Sequence, residues 1–178
     1  MKILVVSPLF PPEIGGAAPY AKELVKRLSR IHDVSLIALA THPESIEGVR
    51  IIVLSKYTRR LMRIPRLIAM LWHEARKADV LYVLNGASTE FAAGIVSLVC
   101  RTPFILARAD IHAYTHHPHK IIGKLAVARA ATILDSFPPP RPEILPLEPF
   151  PQAAFDGYEQ SWSAHLALLT STFNHVAH

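Results

Sequence analysis

The feature that most constrains this chain is an alternation. Short apolar runs rich in β-branched residues recur between segments whose apolar residues repeat at helical spacing. "KILVVS", "DVSLIALAT", "VRIIVLS", "ADVLYVLNG", "TPFILAR" and "TILDS" read as six strands by length and branching. "PYAKELVKRLSRI" puts Ala21, Leu24, Val25, Leu28 and Ile31 on one face, opposite Lys22, Lys26, Arg27 and Arg30, with Pro19 in the first turn. Pro65 opens a helix through "RLIAMLWHEARK", with Leu67, Ile68, Leu71 and Ala75 inward. Ser88 or Thr89 caps "EFAAGIVSLVCR", with Glu90 in its first turn, and "KIIGKLAVARAA" is also helical. Repeated β-α-β units with nearly continuous apolar strands predict an α/β fold, a doubly wound parallel sheet covered on both faces.

The alternation ends near residue 136. From 138 to 151, "PPPRPEILPLEPFP" is half proline, which suits neither a helix nor a central strand. The expected organisation is a domain over residues 1–136, a proline-rich linker over 137–152 and a tail over 153–178 that holds one weak amphipathic stretch, a candidate short helix.

Hydrophobic residues make up 51% of the 178, which argues against disorder across the chain. No apolar run reaches the roughly 18 residues of a membrane span, and "MKILVVSP" is too short for a signal-peptide core. Cys100 is alone, so it forms no internal disulfide; its apolar surroundings suit a buried structural thiol rather than a nucleophile. These features point to the cytoplasm.

In parallel sheets of this kind, ligands bind beyond the carboxyl ends of the strands. Three loops lie there: residues 8–19, 85–89 and 108–118, which hold Gly15, Gly16, Asn85, Gly86 and Arg108 as candidate substrate-binding residues. The Gly15-Gly16 pair stands just ahead of a helix. Two readings are open: a tight turn, or backbone passing close to a phosphate at the helix N-terminus. Neither G-x-G-x-x-G nor G-x-x-x-x-G-K-[ST] is present.

"MKILVVSPLFPPEIGGAAPYAKELVKRL" resembles the opening of glycosyltransferase family 4-like enzymes, with a strand, a Pro-Pro-x-x-Gly-Gly loop and a Leu-bearing helix. "DVSLIALAT", "KADVLYVLNG" and "TPFILA" are similar to that family's later strands, so the resemblance covers roughly residues 1–136. It implies the amino-terminal, acceptor-binding half of a GT-B enzyme, a Rossmann-like domain facing a donor domain across a cleft. A nucleotide sugar would be the co-substrate, with no cofactor, and a glycan or lipid-linked molecule the acceptor. Gly15 and Gly16 would approach the donor diphosphate, whose developing charge backbone N–H groups can stabilise.

The sequence also departs from that pattern. No two glutamates stand in Glu-x7-Glu spacing, the donor-domain signature, so these residues alone are expected to be inactive without a separate donor domain. After the fifth strand the family's His-Gly is replaced by "ARADIHAYTHHPH". Asp110-Ile111 matches the acidic–apolar pair that follows in the family, and His112 is the candidate to replace the missing histidine. His112 and His116 would share a face if helical, but Pro118 just beyond them and the lack of a nearby Cys or Glu argue against a metal site there.

The net charge is +5, and Arg50, Lys56, Arg59, Arg60, Arg63, Arg66, Arg76 and Lys77 hold 8 of the 19 basic residues. "SKYTRRLMRIPRLIAMLWHEARK" reads either as a solvated helix face or as a membrane-surface element. In the second reading Arg59, Arg60, Arg63 and Arg66 meet anionic lipid beside Leu61, Met62, Ile64 and Trp72. Nucleic acid is not an expected partner, because no helix-turn-helix, RNA-binding or zinc-finger pattern is present. Two function classes remain: half of a glycosyltransferase, or a non-catalytic α/β binding module, a remnant that keeps the fold without the chemistry.

Overall fold

The computed structural model describes residues 1–13, 17–84, 86–107, 127–134 and 152–177. Six parallel strands form one sheet: β1 (Lys2–Ser7), β2 (Asp33–Leu39), β3 (Arg50–Leu54), β4 (Val80–Leu84), β5 (Phe104–Ala107) and β6 (Thr132–Leu134). Their order is β3-β2-β1-β4-β5-β6, so the strand order reverses between β1 and β4. Ile3 lies opposite Val34 on one side and Val80 on the other.

Alternation along the strands divides the core in two. Ile3, Val5, Leu36, Ala38, Val80, Tyr82 and Ile105 point to one face, where α1 (Ala17–Leu28) supplies Ala21, Leu24, Val25 and Leu28. Leu4, Val6, Ile37, Leu81, Val83 and Leu106 point to the other, against α2 (Arg60–Ala75) and α3 (Ala87–Val99). Strands buried on both faces have no polar positions to spare, which is why they read as unbroken apolar runs.

Two helix starts differ from expectation. The second helix begins at Arg60 rather than Pro65, with the Arg59 carbonyl accepting from the N–H groups of Met62 and Arg63 at 2.8 and 3.0 Å. Pro65 sits in the second turn, where its missing N–H cannot donate to the carbonyl of Leu61, an exposed residue. The third helix is capped by Gly86, not by Ser88 or Thr89. The Thr89 hydroxyl turns back to the carbonyls of Leu84 and Gly86, both at 2.9 Å, while a Glu90 oxygen accepts the Gly86 N–H at 2.9 Å. Cys100 follows as the extended C-cap, half-buried, with burial pushing its thiol up from the ordinary range.

The tail holds the largest difference from expectation. In place of a short, weakly amphipathic segment, α4 (Gln152–Ala177) runs for 26 residues and completes the face covered by α1. Tyr158, Trp162, Leu169 and Phe173 are buried in that core. Trp162 stacks on Tyr20, their centroids 5.8 Å apart, and Phe173 meets Tyr82 edge-on at the same distance. Among the described residues no helix is long and apolar enough to cross a membrane.

Candidate functional site

The carboxyl edge of the sheet is built around the β1–β4 reversal. Ser7 ends β1 fully buried, and Phe10, also buried, anchors the loop that follows. The peptide bond between Pro11 and Pro12 is cis, and Glu13 closes a turn onto the Phe10 carbonyl at 3.1 Å. The loops after three strands converge on Glu13. Its carboxylate accepts from Lys56 Nζ at 2.5 Å, beyond β3, and from Thr41 Oγ1 at 3.3 Å, beyond β2. The hydrogen bond from Lys56 holds the Glu13 carboxyl below its ordinary range. Lys22 of α1 pairs with Glu44, whose backbone N–H donates to the Pro11 carbonyl at 3.1 Å. The entry to the glycine loop is thus tied to β2 and β3 by polar contacts from both sides.

Gly86 stands at the same edge. A Cβ there would lie 2.8 and 2.9 Å from Pro8 Cβ and Cγ. The absent side chain lets the β4–α3 turn close against the loop after β1, and its N–H is already taken by Glu90. Gly15, Gly16, Asn85, Arg108, Asp110 and His112 lie outside the described residues, as does the proline-rich segment from 137 to 151. Of the basic candidates, Arg59 and Arg66 are exposed and Arg63 is half-buried, its Nε buried without a hydrogen-bond partner among the described residues. The side chain of Arg60 is outside the description, although its backbone begins α2.

At the opposite, amino edge a cleft of about 310 Å³ is lined by Lys2, Asp33, Ser35, Arg50, Glu74 and Lys77. Glu74 pairs there with both Arg50 and Lys77, and those pairings hold its carboxyl down. These charges are spent on one another, and the cleft lies at the wrong end of the strands for a sheet of this type. No group of three or more His, Cys, Asp or Glu able to hold a metal occurs among the described residues.

A buried polar chain joins the helices of the α1–α4 face. The Tyr20 hydroxyl meets Tyr82 Oη at 2.9 Å and His165 Nε2 at 2.8 Å. Burial pushes the Tyr82 hydroxyl up to about 12 and lowers His165. Tyr20 and Tyr82 are buried in the core and His165 is half-buried at its edge. The sequence did carry a signal for this face: Tyr158, Trp162, His165, Leu169 and Phe173 follow at steps of four, three, four and four, one face of a helix.

No family model matches the chain, and no curated protein matches it by sequence. Solved structures do match in fold. Anabaena Alr3699/HepE, crystallised with UDP, superposes with a TM-score of 0.57 at 18% identity, over 90% of this chain and 41% of that one. The UDP-GlcNAc 2-epimerase of Neisseria meningitidis, bound to UDP-GlcNAc, gives 0.56 at 19% identity, over 75% and 39%. The epimerase of Methanocaldococcus jannaschii gives 0.54 at 13% identity, over 75% and 38%. The chain spans about two fifths of the length of each. The sheet with its flanking helices is therefore a Rossmann-like α/β unit, a fold shared with these structures.

Proposed function

We propose that the chain is the acceptor-side half of a nucleotide-sugar enzyme of GT-B type, resembling family 4 glycosyltransferases. In this reading Gly15 and Gly16 offer backbone N–H groups to the donor diphosphate. The acceptor, a glycan or a lipid-linked sugar, enters beside them, and the donor domain comes from outside these residues. One observation carries the reading. The Pro-Pro-x-x-Gly-Gly stretch lies in sequence between α1 and β1, whose carboxyl end stands beside the strand-order reversal, in a fold shared with proteins crystallised with UDP and UDP-GlcNAc. Glu13, tied to Lys56 and Thr41, fixes the start of that loop.

A second reading, a non-catalytic binding module, is favoured by the lack of any Glu-x7-Glu pair in the 178 residues. Titration of UDP-glucose into the isotopically labelled chain tests the first reading. Amide shifts concentrated in residues 8–19 and 85–89, with roughly millimolar affinity, are expected. Shifts confined to the amino edge, or none at saturating nucleotide, would refute it. Sugar transfer separates the two readings further. The chain alone transfers none, and the first reading requires transfer once a donor domain is supplied.

A further inference from the structure

The outward face of α2 is left unused by that reading. Met62, Pro65, Arg66, Ala69, Trp72, His73 and Arg76 are exposed at steps of three and four, opposite the buried Leu67, Leu71 and Ala75. Leu61 is 89% exposed, Met62 57% and Trp72 44%. An amphipathic helix of a globular domain needs one apolar stripe, and α2 already has it against the sheet.

The charge on this face has one sign. Between residues 55 and 77 the sole carboxylate is Glu74, which is buried and paired with Arg50 and Lys77. Arg59, Arg66 and Arg76 therefore stand among exposed apolar side chains with no acid beside them on the helix. At the carboxyl end of α2 the Arg76 guanidinium lies 5.2 Å from the Trp72 ring centroid. Val99 and Arg101 border the same hollow, and Leu98 next to them is exposed.

We propose that this face docks on an anionic lipid surface with α2 lying in the plane of the membrane. The apolar groups occupy both ends of the helix, Met62 and Trp72 being about 15 Å apart along its axis at 1.5 Å per residue. Both ends reach the headgroup–acyl boundary together only when the helix lies flat. The face is the convex side of a helix rather than a groove, which suits a plane better than a peptide. Its exposed leucine and methionine have no use against a polyanion, where arginine alone would serve. The inference stands on α2 and α3 and does not depend on nucleotide-sugar binding.

Vesicle co-sedimentation tests it, using phosphatidylcholine alone against phosphatidylcholine with about 30 mol% phosphatidylglycerol, on the scale of the charge attraction expected per arginine. The wild-type chain binds the anionic vesicles at least about tenfold more tightly, and the preference falls as salt rises. The variants L61E/M62E and R59Q/R66Q each lose about tenfold or more while keeping the wild-type melting profile. W72E loses binding at the other end of the helix. Equal binding to both vesicle types would overturn the proposal. So would anionic-vesicle binding that L61E/M62E and W72E leave unchanged. Heparin bound as tightly as the vesicles, and weakened only by the arginine changes, would replace the lipid with an acidic macromolecule.

Discussion

Arg27 of α1 and Glu159 of α4 face each other fork to fork. Nη1 donates to Oε2 at 2.9 Å and Nη2 to Oε1 at 2.6 Å. The same guanidinium donates through Nε to Glu23 at 2.6 Å and lies 5.1 Å from the Trp162 ring centroid. One side chain thus ties the tail helix to the helix that follows the glycine loop. A lysine can reproduce the charge but not the paired geometry or the stacking. Arg27→Lys is expected to lower stability by about 1 kcal/mol, because Glu159 is partly exposed and screened by solvent. An unchanged melting temperature would mean the fork contributes nothing.

Trp162 is the largest side chain buried in the α1–α4 face. Trp162→Ala removes its stacking on Tyr20 and leaves a void in the core of that face. Chemical denaturation is expected to show a loss of about 3–5 kcal/mol. A loss below about 1 kcal/mol would mean that α4 is held by its ends rather than by its aromatic stripe.

Stability should also fall on mild acidification. His165 is held below its ordinary range by burial, against the Tyr20 hydroxyl at 2.8 Å. Its neutral form belongs to the folded state and the unfolded chain takes the proton first. The stability it contributes is therefore complete above the ordinary histidine pKa and is lost as pH falls toward the lowered one. His32, lowered by burial and by the nearby N-terminus, acts in the same direction. Glu13, Glu74 and Glu159, all lowered chiefly by their basic partners, add a second decline below the ordinary carboxylate range. Thermal unfolding followed from pH 8 downward should show both steps, and His165→Gln should flatten the first. A first step of unchanged size in that variant would assign it to His32.

Gly86 adopts extended backbone with φ of 170°, open to any residue, so a substitution there acts through space alone. A methyl group would meet the Pro8 ring at 2.8 Å, and a proline ring has no rotamer to move into. Gly86→Ala is expected to cost about 1–3 kcal/mol from overpacking at the β1–β4 reversal. A variant as stable as wild type would show that the two loops separate freely.

The strands were legible because burial on both faces leaves only apolar residues along them, as in the five buried positions of "VLYVL". The start of α2 was not, because Pro65 is a strong local signal for a first turn and tertiary packing of Leu67 and Leu71 overrode it. The tail helix was obscured differently. Its stripe of Tyr158, Trp162, Leu169 and Phe173 is diluted by exposed Leu168 and a run of Ala, Ser and Thr, which lowers the contrast between its faces. Of the candidate site, Gly86 stands at the carboxyl edge of the sheet, while Gly15 and Gly16 lie outside the described residues. The sequence offered nothing to single out Glu13, whose role depends on Lys56 and Thr41 arriving from distant loops.

The most direct measurement compares the wild-type chain with Gly16→Val in two assays on the same preparation, UDP-glucose titration and thermal unfolding. If the Gly15-Gly16 backbone seats the diphosphate, a branched side chain occupies that space. Binding should then be lost while the melting temperature stays within about 2 °C of wild type. If the glycines serve only a tight turn, the variant should melt about 3–10 °C lower from backbone strain of about 1–3 kcal/mol and still bind UDP-glucose as wild type does. That second result would contradict the assignment of the loop as a phosphate seat.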